Sequence, residues 1–436
     1  MPQIDSGATA WVLLSAALVL LMTPGVAFFY GGMVRAKNVL GMLAQNYVTM
    51  GIVSVLWVLV GYTLVFGDDA FRGLIGDLSQ LGLGQMQSQV AGYTGALAQS
   101  IPPLAFVAFQ LMFAIITPAL ITGAVADRMK FAAWVVFAGV WLLLVYAPIA
   151  HWVFSPTGWL FQLGAEDFAG GTVVHANAGA AALALVLVLG RRRGWPKEPM
   201  KPHSLPLVLL GAALLWFGWF GFNAGSALGA NQAAAYAFVN TNTATGAALL
   251  AWMLTEKLRD GHATTLGAAS GAVAGLVAIT PAAGFVSPLG AVLIGLAAGT
   301  LCALAVGLKY RFGYDDALDV VGVHLVGGVL GALLIGLVGT STVGGADGLF
   351  YGGGLTLLGT QALAVVASVG YSFVVTFVIA KVLDAIMGLR VSAEDELEGL
   401  DTTQHAETAY LLGTVPGGAF RLGGADAHRT PEKVDA

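Results

Sequence analysis

Residues 171–189 read GTVVHANAGAAALALVLVL, a run of 19 residues with no formally charged side chain and one histidine, His175. Because an α-helix rises about 1.5 Å per residue, a run of about 20 apolar residues is long enough to cross the hydrocarbon core of a bilayer. The run is too long and too uniformly apolar for the alternating pattern of a membrane β-barrel strand. We therefore predict that this segment is a transmembrane α-helix.

Similar runs recur along the whole chain. Of its 436 residues, 57% are hydrophobic and 10% are charged, and the mean hydropathy is +0.82, whereas a soluble protein carries roughly 25% charged residues. The runs predict an all-α polytopic membrane protein with eleven transmembrane helices. They lie near residues 9–33, 41–66, 99–124, 131–149, 171–189, 204–223, 236–255, 264–280, 287–308, 322–341 and 356–380.

The basic residues indicate how these helices are oriented. Thirteen of the 19 Lys and Arg residues fall in one set of alternating loops, and only Arg72 falls in the opposite set. Since cytoplasmic loops carry an excess of Lys and Arg, we predict an outside N-terminus and a cytoplasmic C-terminus in a plasma membrane. Residues 1–390 then form a transmembrane domain and residues 391–436 a cytoplasmic tail, of which 411–436 is expected to be disordered.

The composition also excludes several classes of protein. The single cysteine, Cys302, rules out an intrachain disulfide and a cysteine-based metal cluster. No lysine follows a glycine, so the phosphate-binding loop of an ATP-driven pump is absent. No nucleophile motif or metal constellation is evident either. We therefore expect a transport protein rather than an enzyme, without a cofactor, a metal or a nucleic acid partner.

An internal repeat relates the two halves of the predicted bundle. Residues 12–18 (VLLSAAL) and 208–214 (VLLGAAL) are identical at six of seven positions, in the first and sixth spans. The fifth and tenth spans share a Val-His pair followed by a glycine, at His175 and His324. Both pairings are five spans apart, so the halves run in opposite directions through the bilayer. This predicts the inverted 5+5 repeat of many transporters, with the eleventh helix as an accessory.

His175 and His324 are the first candidate functional residues, because each lies inside an apolar run. Ionisable groups at membrane depth usually face a cavity or another polar group. Imidazole titrates close to neutral pH, so the pair suits proton transfer. A structural hydrogen bond between helices is the alternative. A zinc site is disfavoured because the nearest carboxylates, Asp167 and Asp319, lie at or beyond the ends of the helices.

Aromatic residues mark a second candidate site, at the end of the sixth span. Trp219, Phe222 and Ser226 are three and four residues apart and therefore share one face of the helix. Ring faces attract a small cation, so this face predicts a cation site. An aromatic belt at the membrane interface is the alternative. The other side chains that could join the site are Phe109, Gln110, Phe113, Trp152 and Phe154.

Several short segments of the sequence resemble signature motifs of the ammonium transporter (Amt) family. They include DFAGGTVVH at 167–175, GWFGFNAGS at 218–226 and DVVGVH at 319–324. The resemblance extends from about residue 9 to Tyr410. It implies eleven helices, an inverted repeat, a homotrimer with one pore per subunit, and uptake of ammonium, with methylammonium as a further substrate. A gas channel of the related Rhesus type, and an ammonium sensor with little transport, remain the alternatives.

The resemblance implies a role for each matching residue. His175 and His324 resemble the twin histidines of the pore, which are in contact in the family. Our own helix limits place His175 about five residues from the outer end of its helix and His324 about three residues from the inner end of its helix. Counting from those ends at about 1.5 Å per residue leaves the two side chains well apart.

The resemblance also implies roles for residues in the outer part of the pore. Phe109 and Phe222 look like a stacked phenyl gate, Ser226 like the hydroxyl of the outer cation site, and Trp219 like a pore-wall residue. Asp167 resembles a carboxylate that supports the site indirectly.

Two further features concern substrate affinity and regulation. Phe154 lies where the family commonly has tryptophan, and phenylalanine has the weaker face for cations. The tail segment 388–410 also resembles the family, which implies docking beneath the trimer and control by a trimeric signalling protein of the PII type.

Overall fold

The structure, a computed structural model, describes residues 3–84, 92–94 and 97–410, and these residues are helical almost throughout. Eleven long helices follow one another along this part of the chain. They are α1 (Ser6–Met33), α2 (Ala36–Phe66), α3 (Pro103–Val125), α4 (Phe131–Gln162), α5 (Gly171–Leu189), α6 (Leu205–Gly225), α7 (Gln232–Asp260), α8 (Thr265–Ile279), α9 (Pro288–Phe312), α10 (Val321–Val338) and α11 (Thr356–Met387).

Most of these helices have the length and composition of membrane spans. Within the described residues, nine are long and apolar enough to cross a bilayer. Helix α8, with 15 residues, is shorter, and α7 is less apolar because it carries several polar residues and ends in charged ones. The chain is therefore a multi-pass helical membrane protein. The exact number of eleven spans and the orientation remain predictions.

Helices α5 and α10 cross each other backbone to backbone at the centre of the protein. A Cβ atom at Gly179 of α5 would lie 2.4 Å from the backbone nitrogen of Leu325 in α10. A Cβ atom at Gly328 of α10 would lie 2.7 Å from the carbonyl oxygen of Gly171 in α5. Glycine is therefore required at both positions, since any side chain would push the two helices apart.

Both of these helices begin inside the protein at an aspartate cap. Asp167 Oδ1 accepts hydrogen bonds from the backbone N–H groups of Gly170 and Gly171, at 2.8 and 2.6 Å. Asp316 Oδ2 accepts a hydrogen bond from the N–H of Val321 at 2.7 Å. Each aspartate lies eight residues before the histidine of its helix. The caps thus form a further matching pair between the two halves.

Each histidine lies in a π-helical turn at the start of its helix. The two turns are Gly171–Ala176 and Val321–Leu325. A π-helical turn contains one more residue than an α-helical turn and is frequent at functional sites. The wider turn changes the direction in which the side chains project, and apolar periodicity gives no sign of it.

A buried ion network joins the loops on the face of the protein that carries the tail. Arg192 donates two hydrogen bonds to the carboxylate of Asp315, at 2.8 and 2.9 Å, and also contacts Asp127 at 3.4 Å. Arg35 approaches Asp127 at 3.2 Å. Burial raises the pKa of Asp315, but the hydrogen bonds from Arg192 outweigh burial and hold it below its usual value. The network fixes the loop that leads into α10.

The described part of the tail packs against this same face. It forms two short helices, α12 (Ala393–Glu398) and α13 (Leu400–His405). The buried carboxylate of Glu396 accepts hydrogen bonds from the backbone N–H of Arg193, at 2.7 Å, and from the side chain of Arg390, at 2.6 Å. Asp401 accepts one from the N–H of Gly41 at 2.8 Å. The predicted disorder of 411–436 lies outside the described residues.

The close crossing of α5 and α10 leads to a prediction about stability when a methyl group is added at Gly179. We expect Gly179→Ala to destabilise the protein by about 1–3 kcal/mol, because the new Cβ overlaps backbone atoms that have no room to move. The control is Gly370→Ala in α11, where a Cβ would meet nothing within 4 Å. Thermal unfolding of the purified proteins in detergent measures the difference. Equal melting temperatures for the two variants would contradict the close crossing.

Candidate functional site

His175 and His324 are in contact at the crossing of α5 and α10. Their Nδ1 atoms are 3.3 Å apart, and the two rings are nearly parallel with centroids 5.3 Å apart. Both side chains are buried, with exposed fractions of 1% and 4%. The separation expected from counting along the helices is therefore wrong, whereas the contact implied by the family resemblance is present.

The error came from depth rather than from the helix limits. The predicted limits 171–189 and 322–341 lie within three residues of those of α5 and α10. Several residues that lead into each helix are buried: Ala169 and Gly170 before α5, and Asp315 and Asp316 before α10. Both helices therefore start inside the protein instead of at its surface, which brings residues near the two starts together.

The pair lies in an apolar passage walled by aromatic rings. His175 stacks on Trp219 with centroids 5.3 Å apart and on Phe222 with centroids 5.8 Å apart. Trp219 is fixed by a hydrogen bond from its indole N–H to Thr280 Oγ1 at 2.8 Å. The Nδ1 atoms of two neutral imidazoles can share one hydrogen bond, one ring donating and the other accepting. His175 Nε2 is buried and has no partner among the described residues.

The aromatic ring that packs on Phe222 comes from Phe113, not from the predicted Phe109. The Phe113 and Phe222 centroids are 4.4 Å apart. Phe109 is fully buried and packs edge-on against Phe113 at 4.9 Å. Residues four apart share a face of a helix, so sequence spacing does not distinguish these two phenylalanines. The stacking predicted between Phe109 and Phe222 is therefore wrong, the observed ring pair is Phe113 and Phe222, and the gate itself stays a prediction.

Beside Phe113 lies a cavity of about 580 Å³, which we call the vestibule. Three of the predicted site residues, Phe154, Asp167 and Ser226, line it, whereas Trp219 lies deeper, against His175. Its wall includes Tyr93, Gln110, Phe113, Phe154, Glu166, Asp167, Ser226 and Ala346. We call the side of the protein with this cavity the vestibule face and the opposite side, with α12 and α13, the tail face.

The polar groups of the vestibule have different tasks. Ser226 Oγ donates a hydrogen bond to the carbonyl of Phe222 at 2.8 Å, and a hydroxyl oxygen has lone pairs for a further donor. Asp167 Oδ2 accepts from the N–H groups of Thr172 and Val173 at 2.8 and 3.2 Å. Burial raises the pKa of Asp167, and these hydrogen bonds oppose the rise. Asp167 therefore caps the start of α5, and its supporting role for the cation site stays a prediction.

A smaller cavity lies on the other side of the histidine pair. Its volume of about 20 Å³ is lined by His324, Phe29, Tyr30 and Asp319 among others. A site of this size holds about one water molecule. Phe113 of the vestibule wall packs on Phe222, Phe222 on His175 and His175 on His324, which borders this small cavity. Within the described part of the chain, no three His, Cys, Asp or Glu side chains come together to bind a metal.

Comparisons of the sequence with known proteins agree with one another. The model of the Ammonium Transporter Family matches residues 10–410. An ammonium transporter of Mycobacterium tuberculosis (strain ATCC 25618 / H37Rv) is 54% identical, covering 95% of this chain and 92% of that protein. An ammonium transporter of Aquifex aeolicus (strain VF5) is 50% identical, covering 94% and 95%.

Solved structures show the same fold. The crystal structure of Saccharomyces cerevisiae Mep2 is 36% identical, with a TM-score of 0.84, covering 90% of this chain and 89% of that one. A structure named Sensor Amt Protein is 30% identical, with a TM-score of 0.84, covering 92% and 98%. The relatives of highest identity among these four are named as transporters, and the sensor is the least similar in sequence.

Proposed function

This chain belongs to the ammonium transporter family and transports ammonium, and from that premise we propose how its residues move the substrate. Ammonium is recruited in the vestibule, loses its proton before it passes Phe113 and Phe222, and crosses the apolar passage as ammonia. The proton follows along His175 and His324. The protein is a transporter without catalytic chemistry or a cofactor.

The observation that carries this proposal is the histidine contact inside an apolar passage. Moving an isolated ion from water into a low-dielectric interior costs roughly tens of kcal/mol by idealised solvation theory, whereas moving a neutral amine costs far less. At the contact of the two imidazoles, no carboxylate of the described residues forms an ion pair or a hydrogen bond with either ring. Ammonia can therefore pass where the cation cannot. The 3.3 Å separation of the Nδ1 atoms supports proton transfer between the rings.

Recruitment depends on weak but additive contacts in the vestibule. The Ser226 hydroxyl can accept a hydrogen bond from an N–H group of the cation. The faces of Phe113 and Phe154 attract a small cation by about 0.5–2 kcal/mol each. Because Phe154 stands where the family commonly has tryptophan, its contribution is at the lower end. Phe113 and Phe222 form the gate through which the neutral molecule passes.

The orientation and assembly follow the family and the charge pattern. The vestibule face is extracellular and the tail face cytoplasmic, because the loops on the tail face hold the excess of Lys and Arg. The protein resides in the plasma membrane as a homotrimer, each subunit with its own pore. A sensing role with little transport is disfavoured, since the sensor is 30% identical and the transporters are 50–54% identical. A Rhesus-type gas channel is disfavoured by the Amt-like sequence words.

The tail acts as a regulatory element on the tail face. Glu396 and Asp401 are buried, and both accept backbone hydrogen bonds from the loops they cover. Through Arg193 and the neighbouring ion network, the tail is mechanically linked to the loop that leads into α10. Movement of the tail, or a PII-type protein bound over it, would therefore reach the end of the helix that carries His324.

The histidine pair generates the first functional prediction. We expect His175→Ala and His324→Ala each to abolish the current evoked by ammonium in liposomes that contain the purified protein, because the proton path is cut. Folding should be largely retained, since water can fill the vacated polar space. The matched control is His262→Ala, an exposed histidine outside the pore. Wild-type currents in both pore variants would refute the proton path.

The second functional prediction concerns the tail. Deletion of residues 392–436 should reduce transport while trimers still form, because the subunits lose their coupling element. Glu396→Gln should reduce transport in the same direction, since it weakens the ion pair with Arg390. The control is Glu394→Gln, which changes an exposed carboxylate of the same helix. Uptake by cells that express each variant measures the effect. Full activity of the truncated protein, with inhibition by PII retained, would reject both docking and regulation.

A further inference from the structure

Glu166 is a carboxylate of the vestibule wall that the mechanism above does not use. Its Oε1 atom accepts a hydrogen bond from the backbone N–H of Ala346 at 2.6 Å. Its Oε2 atom is buried and has no hydrogen-bond partner among the described residues. The backbone of Glu166 is held to α11 by Gln361, whose side chain both donates to it at 2.7 Å and accepts from it at 2.8 Å.

The neighbouring loop is shaped to admit this carboxylate. Gly345 has a positive φ of +85°, and a Cβ atom there would lie 2.5 Å from Glu166 Oε1. Any other residue would therefore be strained and would also displace the carboxylate. The loop before α11 holds the side chain of Glu166, and α11 holds its backbone. Such fixed placement is what a charge needs to act on a ligand in the adjoining cavity.

Few other charges surround Glu166. Among the described residues of the vestibule wall, the carboxylates are Glu166 and Asp167, and there is no Lys, Arg or His. The negative charge of Asp167 is offset by the positive end of the α5 dipole, whose N–H groups donate hydrogen bonds to it. Asp347, in the loop that carries Ala346, accepts a hydrogen bond from the backbone N–H of Ser341 at 2.7 Å and does not line the vestibule. Tyr93 is the remaining titratable side chain of the wall. Glu166 thus supplies the uncompensated negative charge.

We propose that Glu166 attracts the cation into the vestibule and sets the affinity of this chain for ammonium and small alkylammonium ions. This inference rests on the proposed function, because it assigns a further residue to the recruitment step. A carboxylate in a cavity with low-dielectric walls focuses its field and raises the local concentration of cations. It offsets the weaker face of Phe154. Sequence reasoning missed Glu166 because the adjacent Asp167 belongs to the recognisable family word.

The same residue makes recruitment dependent on the external pH. Burial raises the pKa of Glu166 to about 7, although the hydrogen bond from Ala346 opposes the rise. The side chain is therefore charged above about pH 7 and neutral below it. Recruitment should be strong on the alkaline side and weaken as the pH falls through this value. Methylammonium is almost wholly protonated on both sides, so its own titration does not mask the effect.

The test is the half-saturation concentration for methylammonium uptake into proteoliposomes, at an external pH of 8 and of 6. For the wild type we expect it to rise about three- to tenfold on acidification. Glu166→Gln should show the raised value at both pH values, while the amide oxygen still accepts from Ala346. Asp68→Asn, which removes an exposed carboxylate from the same face outside the vestibule wall, should behave like the wild type.

The outcomes separate this inference from the function on which it rests. A wild type without saturable uptake would overturn the proposed function and this inference with it. Normal wild-type uptake together with unchanged half-saturation in Glu166→Gln would overturn only the role of Glu166. A lower maximal rate with unchanged half-saturation would show a structural role and would also overturn it. Partial loss of folded protein does not affect the test, because the half-saturation concentration is independent of protein amount.

Discussion

The placement of His175 against His324 is the constraint that the arrangement of α5 and α10 satisfies. Two polar rings in an apolar passage are tolerable only if they satisfy each other. To bring them together, α5 and α10 must begin inside the protein and cross without intervening side chains. The aspartate caps and the glycines at the crossing, Gly179 and Gly328, provide both conditions. The rings of Trp219 and Phe222 then stack on His175.

Much of this architecture could be predicted from the sequence. Uncharged runs predicted the limits of α5 and α10 within three residues, and a histidine inside each run marked the place where the two helices meet. The depth at which those helices begin could not be predicted, because hydropathy records length and not position along the membrane normal. The choice of Phe113 over Phe109 was equally inaccessible, since both lie on one helix face. The glutamate beside Asp167 carries no motif.

The two faces of the protein use charge in opposite ways. The vestibule wall holds carboxylates without basic partners among its described residues, which favours cations at the entrance. The tail face pairs the buried Arg192 with two aspartates and the partly exposed Arg390 with Glu396 of the tail, so that its charges fix loops in place. Replacing one partner of such a buried pair leaves the other uncompensated and is strongly destabilising. On the vestibule face, charge acts on the cation that we propose to be recruited there. On the tail face, charge holds the loops in place.

The central claim is that the substrate loses its proton before it crosses the apolar passage. The most direct measurement is the current on proteoliposomes when either ammonium or potassium is added at the same concentration. Potassium is a monovalent cation of similar size that has no proton to lose. The account predicts a saturable current with ammonium and none with potassium. A potassium current of comparable size would contradict it, because the passage would then conduct the intact cation.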